Sequence, residues 1–226
     1  MTEIREIVLP GELLGKREGR KIGEYVYVEG NDVYSKVVGI PKIDENEMNV
    51  IPLFGVYIPH VGDSVVGIVK SVEVSGWFVD INSPYIAFLP LAEGVREFVD
   101  IYRTDISKFY DVDDVIYCRV SKVTKNKIVQ VSMRAVGCRK LRGGTIIRVN
   151  PAKVPRIIGR RGSMINLIKR KTGCEIYPGR NGIIWIRGGD KTKAVRAILT
   201  IEKESHVIGL TEKIEKMLGG KNEETG

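Results

Sequence analysis

Two glycines separated by two arginines constrain the C-terminal half of this chain more than any other feature. They form Gly159-Arg160-Arg161-Gly162, with helix-type apolar spacing on both sides, at residues 154–158 and 163–172. Glycine has no Cβ, so such a loop lets a nucleic-acid backbone approach closely. The following helix adds free N–H groups and the positive end of its dipole. The motif therefore predicts a phosphate-binding loop between two helices, with both arginines beside the phosphates.

The elements around this loop favour one fold. A strand is predicted at residues 145–150, two more lie at 174–177 and 183–187, and a helix follows Asp190. The predicted order is βααββα, and a GXXG loop in that order is typical of a KH domain, which clamps about four nucleotides. We place this α/β domain at residues 140–203. A bare GXXG is weak evidence, and the alternative is an ordinary connection between two helices.

The charge distribution supports a polyanion partner. Residues 139–200 contain 16 Lys/Arg and two acids, a net charge of +14, whereas the whole chain is only +8. The rest of the chain is therefore net acidic. Because the basic residues are interleaved with apolar positions and glycine turns, the block is predicted to be folded and to bind nucleic acid, rather than to be a solvated charge run.

The candidate RNA contacts in this domain extend beyond the loop. They are Gly159, Arg160, Arg161, Gly162, Arg156, Lys169, Arg180 and Asn181. Trp185 alternates with Ile184 and Ile186 along a strand, which favours a core position over a stacking platform.

The middle of the chain, residues 58–136, reads as an all-β domain. Strand-like runs lie at residues 64–74, 76–81, 85–89, 115–123 and 127–133, with a short helix predicted at 105–110. Five strands with one long connection before the fourth match a five-stranded OB barrel.

Aromatic and basic residues of the barrel are candidates for base stacking and phosphate contact. Strand alternation puts Trp77 and Phe78 on opposite faces, and we expect Phe78 to face RNA. Phe88 on the third strand is the second stacking candidate, with simple core packing as the alternative for each ring. Phosphate contacts are expected from Lys122, Lys125 and Lys127.

The two ends of the chain complete a multidomain organisation. Residues 1–57 form a β-rich N-terminal module, because β-rich runs at 25–28 and 33–38 flank a Gly/Asn/Asp turn. Its residues have no catalytic pattern, and we interpret it as a docking module. Residues 204–226 are predicted to form a C-terminal amphipathic helix and a disordered tail.

An enzymatic function is not supported by the residue set. Only two histidines exist, His60 and His206, and the acidic cluster Asp111, Asp113 and Asp114 is the one candidate magnesium site. The three cysteines form no CxxC pair, so no zinc ribbon is expected. We predict no catalytic residues, no metal and no cofactor. Without an apolar membrane span or signal peptide, a cytoplasmic protein with no membrane contact is expected.

Two stretches of sequence resemble a known family. The barrel is similar to the S-one-type RNA-binding barrel, through Val61-Gly62-Asp63 and the run Gly76-Trp77-Phe78-Val79-Asp80. Where that barrel usually has a histidine, this chain has Pro90. Over about 200 residues, the chain resembles the RNA-binding cap subunit of the archaeal exosome, the ribosomal RNA-processing protein four family. The matching segments include Val8-Leu9-Pro10-Gly11, Tyr57-Ile58-Pro59 and Gly179-Arg180-Asn181-Gly182.

The resemblance implies a role. Three such subunits, possibly mixed with a zinc-ribbon cap subunit, would sit on a hexameric phosphorolytic ring through the N-terminal module. They would capture single-stranded, often poly(A)-rich RNA 3′ ends and feed them to the ring for 3′-to-5′ degradation. The alternative is a stand-alone OB/KH factor in transcription elongation or RNA processing, although elongation factors of this kind usually carry two KH domains.

Overall fold

The computed structural model describes residues 7–97, 99–100, 103–205 and 209–219. The chain divides into two compact units, Met1–Gly55 and Val56–Gly226. The barrel and the KH domain therefore belong to one unit. Tyr57, which the sequence placed in the N-terminal module, is buried in the barrel core. His206 and the tail at 220–226 lie outside the described residues.

The N-terminal unit is β-rich, as predicted. Its strands are β1 (Leu13–Lys16), β2 (Lys21–Ile22), β3 (Val26–Glu29), β4 (Asp32–Ser35), β5 (Gly39–Ile43) and β6 (Glu47–Pro52). They form two three-stranded sheets, in the orders β1-β4-β3 and β2-β6-β5. Alternating residues of these strands bury one shared core, which contains Val26, Val33, Met48 and Val50.

The barrel follows the predicted strand order. Its elements are β7 (Ser64–Glu73), β8 (Gly76–Asp80), β9 (Ala87–Pro90), the short helix α1 (Leu91–Gly94), β10 (Val115–Val123), β11 (Val129–Ser132) and β12 (Arg139–Leu141). The sheet runs β11-β9-β8-β7-β10, and β11 also pairs with β10, which closes a five-stranded barrel. The helix expected at 105–110 is a single 3-10 turn, Ile106–Lys108, capped by the Asp105 carboxylate.

The KH domain has the predicted βααββα order. Its elements are β13 (Thr145–Arg148), α2 (Val154–Ile158), α3 (Ser163–Thr172), β14 (Glu175–Pro178), β15 (Ile183–Arg187) and α4 (Lys191–Lys203), and helix α5 (Leu210–Gly219) follows. The sheet order is β13-β15-β14. Three apolar residues of α5, Leu210, Ile214 and Leu218, are buried in the same core as α3 and α4. The terminal helix therefore completes the hydrophobic core of this domain.

The central KH strand β15 is buried on both faces. Ile184 and Ile186 belong to the core under the helices. Trp185, on the opposite face, is 2% exposed and packs with Val66 and Leu141 of the barrel. The prediction that Trp185 is a core residue is confirmed. Its indole N–H donates to the Gly143 carbonyl at 2.7 Å, so its polar atom is satisfied in the domain interface.

Within the described residues, no helix is long and apolar enough to cross a membrane.

Candidate nucleic-acid interface

The loop at Gly159–Gly162, called here the clamp loop, has a backbone that requires glycine at its start. Helix α2 ends where Gly159 adopts φ 74° and ψ 172°. A Cβ at Gly159 would lie 2.8 Å from the Met164 backbone nitrogen, so any other residue would collide with the first turn of α3. Gly162 has φ 78°, in the left-handed region that glycine enters without strain. The two glycines thus set the tight path of the chain between the helices.

The clamp loop carries its positive charge on the surface. Arg156, Arg160 and Arg161 are all exposed. No acidic residue occurs from Val154 through Thr172, so nothing in these two helices neutralises the loop. Arg161 has φ 51°, an unusual conformation for a residue with a side chain. A strained backbone conformation next to positive charges that have no acidic neighbour in these helices suits an anion-binding site.

Lys169 lies on the side of α3 that faces strand β14. Its ammonium nitrogen is 5.8 Å from the centre of the Tyr177 ring, within cation–π range. Burial lowers the pKa of Lys169 from its ordinary value, and the nearby Glu175 carboxylate partly opposes that effect. The predicted RNA contact Lys169 is therefore placed apart from the clamp loop arginines, beside an aromatic ring at the edge of the KH sheet.

On the barrel, three of the predicted residues align with Gln130 in one row across four strands. Phe78 of β8 is opposite Phe88 of β9, Phe88 is opposite Gln130 of β11, and Gln130 is opposite Lys122 of β10. Residues that are directly opposite in neighbouring strands point to the same face. Phe78, Phe88, Gln130 and Lys122 thus form a continuous line on the outer face, called here the aromatic row.

The two phenylalanine rings of the aromatic row contact each other. Their centroids are 5.2 Å apart at an angle of 53°, and both side chains are only half-buried. Trp77 is fully buried in the barrel, where its indole N–H donates to the Tyr110 carbonyl. The expectation that the two side chains lie on opposite faces of the strand is confirmed, with Trp77 in the core. Partly exposed paired rings are the kind of surface on which RNA bases stack.

Lysines border the aromatic row at one end. Lys125 and Lys127 lie in the turn between β10 and β11 and are exposed, like Lys122. Pro90, which stands where the resembling barrel usually has histidine, ends β9 opposite Gly76. The structure thus brings the barrel candidates together on one surface with a basic margin.

Asn181 occupies a different place from the one predicted. It is fully buried between the KH domain and the barrel. Its Nδ2 donates to the carbonyls of Val66 at 2.7 Å and Ile81 at 2.8 Å, and its Oδ1 accepts from the Val66 N–H at 3.3 Å. The expectation that Asn181 contacts RNA is therefore corrected, because every polar atom of its amide group is bonded to barrel backbone.

The rest of the β14–β15 turn also contacts the barrel. The Arg180 N–H donates to the Ser64 carbonyl at 2.8 Å, and its Nε is 3.7 Å from an Asp63 carboxylate oxygen. A Cβ at Gly179 would lie 2.6 Å from the Val66 nitrogen, so the turn can approach strand β7 only with glycine there. The Arg180 side chain remains 47% exposed, so it retains access to solvent beside the barrel.

Sequence reasoning missed a group of residues where the two domains meet. Tyr117 of β10 and Tyr177 of β14 have ring centroids 5.0 Å apart. The Arg139 guanidinium lies 5.4 Å from the centre of the Tyr177 ring. No local motif marks these residues, because they come together only when the KH sheet packs on the barrel. The available sequence signals for this group were the basic stretch at 139–142 and the strand alternation at 175–178.

The acidic residues considered for a metal site are engaged in other contacts. Asp114 accepts from the Asp111 N–H at 2.6 Å and forms an ion pair with Lys140. Within the described part of the chain, no group of three or more His, Cys, Asp or Glu residues is placed to hold a metal ion. Burial raises the pKa of the Cys118 thiol above its ordinary value, which disfavours the nucleophilic thiolate.

Together, an OB barrel with an exposed aromatic row and a KH domain with a basic GXXG loop define the class of single-stranded-RNA-binding OB/KH proteins. Comparisons with protein families are more specific. Residues 5–54 match the N-terminal domain of "Exosome RNA binding protein RRP4", residues 56–122 match "RRP4, S1 domain", and residues 144–203 match "KH domain".

Curated relatives agree across the whole length. Exosome complex component Rrp4 of Pyrococcus horikoshii is 42% identical over 219 residues, which cover 95% of this chain and 82% of the relative. The Rrp4 of Methanopyrus kandleri is 42% identical over 222 residues, covering 93% and 92%. A crystal structure assigned to an exosome complex RNA-binding protein is 34% identical with a TM-score of 0.66, covering 73% of this chain and 96% of that one. The chain belongs to the Rrp4 family.

Proposed function

We propose that this chain is a non-catalytic RNA-binding subunit of an exosome. Its relatives are named exosome complex components. The observation that carries the proposal is the pairing, within one compact unit, of the clamp loop with the aromatic row. One site suits a phosphate backbone and the other suits bases, so a single strand has both kinds of contact available.

The finer role follows from the resemblance. The chain caps a hexameric phosphorolytic ring, holds single-stranded 3′ ends, including poly(A)-rich ones, and feeds them to the ring for degradation. The N-terminal unit is the ring-docking module in this proposal, and three copies sit on each ring, alone or with zinc-ribbon cap subunits. A cytoplasmic location remains a prediction. A stand-alone elongation factor is disfavoured by the match of residues 5–54 to the RRP4 N-terminal domain.

The clamp loop gives the direct test of RNA binding. Replacing Arg160 and Arg161 with Asp puts repulsive charge in the loop, and Asp tolerates the left-handed backbone at position 161. We expect the affinity for single-stranded RNA to fall at least about tenfold, because two cations that neutralise phosphates become anions that repel them. Fluorescence anisotropy with labelled oligo(A) measures it. Unchanged affinity would remove the clamp loop from the proposed site.

The salt dependence is the companion measurement. With about five phosphates bound, the slope of log affinity against log salt should be about −3.5 for a single strand. The Asp variant should show a shallower slope than the unsubstituted protein. A slope near zero in the unsubstituted protein would mean that the basic block does not contact the phosphates.

A further inference from the structure

The clamp loop and the aromatic row belong to one compact unit, and the surface between them carries charged side chains. The barrel and the KH domain share a buried cluster of Val66, Leu141, Ile183 and Trp185. Asn181 adds hydrogen bonds across the same interface. Since no flexible linker separates the two sites, a strand that occupies both must cross a defined stretch of surface.

That stretch has its own cations and aromatic ring. Lys169, Tyr177, Arg139 and Arg119, called here the junction patch, lie at the domain boundary. Arg139 and Lys169 both approach the ring of Tyr177, at 5.4 Å and 5.8 Å from its centroid. Glu175 is the acid beside them, and its stronger ion pair is with Arg187 at 2.7 Å, against 3.9 Å to Arg139. Arg139 is therefore only loosely paired with Glu175 and can bind another anion.

Strand β10 joins this patch to the aromatic row. Ile116, Cys118 and Val120 are buried in the barrel core, so Tyr117 and Arg119 point outward. Beyond a register shift, Lys122 is opposite Gln130 of the aromatic row. At about 3.3 Å per residue, Tyr117 and Lys122 are about 17 Å apart along the strand. The outward face of β10 thus leads from the domain boundary to the stacking surface.

The KH side of the patch is open to a strand. Strand β14 lies at the edge of its sheet, paired on one side with β15. Lys169 of α3 lies near this strand, with its ammonium nitrogen 5.8 Å from the centre of the Tyr177 ring. An unpaired strand edge leaves backbone donors and acceptors for bases to bond. Tyr177 points to the sheet face that packs on the barrel, and its ring is partly buried there beside Tyr117 and Trp185. A base stacked on Tyr177 and phosphates beside Arg139 and Arg119 fit this chemistry.

We propose that one RNA strand runs continuously from the clamp loop to the aromatic row, crossing the domain boundary over Tyr177 with its phosphates on Arg139 and Arg119. The proposal rests on the RNA-binding function proposed above and adds a third contact region to it. The strand then engages both domains as one extended site.

RNA length separates this proposal from RNA binding itself. A KH clamp takes about four nucleotides and an OB site takes about four or more, so an oligo(A) of about 15 nucleotides can occupy both sites and the crossing, whereas one of about five occupies a single site. The test variant is Arg119→Gln with Arg139→Gln. Glu175 retains its ion pair with Arg187 in this variant. The matched control is Arg196→Gln with Lys203→Gln, which removes two exposed charges on α4.

We expect the test variant to bind the long RNA about fivefold to tenfold more weakly, with a salt slope shallower by about 1.4, and to bind the short RNA unchanged. The control variant should bind both RNAs like the unsubstituted protein. Equal affinity of test variant and unsubstituted protein for the long RNA would overturn the crossing. Equal weakening for both lengths would also overturn it, because the damage would then be local to one site.

Ultraviolet crosslinking of the unsubstituted protein gives a readout without substitution. The long RNA should crosslink to the peptide that contains Tyr177, and a long-RNA complex with no such crosslink would contradict the proposed path. If the unsubstituted protein bound neither RNA, the RNA-binding function would fail and the path with it.

Discussion

Asn181 supplies the hydrogen bonds that a neighbouring strand would otherwise make to Val66 of β7. The pairing of β7 with β8 begins at Ile68 opposite Asp80, so Val66 has no partner from β8. The carboxamide of Asn181 supplies an acceptor for the Val66 N–H and a donor for its carbonyl. A side-chain amide has a donor and an acceptor like those of a peptide group. It therefore bonds the buried N–H and carbonyl of Val66, which would be costly to leave without hydrogen bonds.

Replacing Asn181 with Asp should therefore weaken the fold of the Val56–Gly226 unit. The carboxylate can still accept from the Val66 N–H, but it cannot donate to the Val66 and Ile81 carbonyls, and its charge is buried. We expect the free energy of unfolding to fall by about 2–4 kcal/mol. Urea denaturation followed by tryptophan fluorescence measures it, because Trp185 lies in the same interface.

Arg180→Ala is the control from the same turn, with an expected loss below about 1 kcal/mol because its ion pair is long, at 3.7 Å, and its arginine side chain is 47% exposed. An Asn181→Asp protein as stable as the unsubstituted one would contradict the role given to this side chain.

The role of Asn181 was beyond sequence reasoning for a physical reason. A Gly-x-Asn-Gly turn in a basic domain has the composition of a nucleic-acid contact, and nothing in the local sequence shows that Val66 of β7 has no partner from β8. Gly159 is the opposite case, since the need for glycine arises from its own turn and the adjacent helix. Sequence therefore predicted the clamp loop and could not predict the interdomain bond.

Strands β8 and β9 place both phenylalanines on the outer face by alternation alone. This is why the orientation of Phe78 was predictable: Trp77, Val79, Ala87 and Leu89 are the inward set. The alignment of Phe88 with Gln130 and Lys122 was not predictable, because it depends on the parallel pairing of β9 with β11 that closes the barrel. Periodicity determines the face of a residue, and the register with a distant strand needs the closed structure.

Phe88→Leu tests whether the aromatic row stacks on bases. Leucine keeps apolar contact with Phe78 but has no π face, so RNA binding should weaken by about 1–3 kcal/mol while the barrel stays folded. Anisotropy titrations with oligo(A) give the affinity, and a thermal melt reports the fold.

Phe109→Leu is the matched control, because Phe109 is another half-buried ring of the barrel outside the row. If Phe109→Leu and Phe88→Leu reduced RNA affinity equally, the row would have no special part in binding.

The complete chain combines two compact units that have different proposed tasks. The sequence placed the end of the N-terminal module at residue 57, and the first compact unit ends at Gly55. The merging of barrel and KH domain into one unit was not predicted in detail. It depends on Trp185 and Asn181, whose partners are more than 40 and 100 residues away in sequence.

Removing residues 1–55 tests the division of tasks. The remaining fragment keeps the clamp loop, the junction patch and the aromatic row, so its RNA affinity should stay within about twofold of that of the full chain. Its co-purification with the phosphorolytic ring subunits should be lost. A fragment that still bound the ring would transfer docking to the barrel or KH domain, and one that lost RNA binding would place RNA contacts in the N-terminal unit.

The most direct test of a non-catalytic RNA-binding role is to incubate the purified protein with end-labelled single-stranded poly(A), in phosphate and magnesium, and to measure binding and RNA length together. We expect salt-sensitive binding with the RNA intact, and loss of that binding in the Arg160→Asp, Arg161→Asp variant. RNA shortened by the protein alone would contradict the non-catalytic role. The acidic cluster around Asp111 would then be the first place to look for the active site.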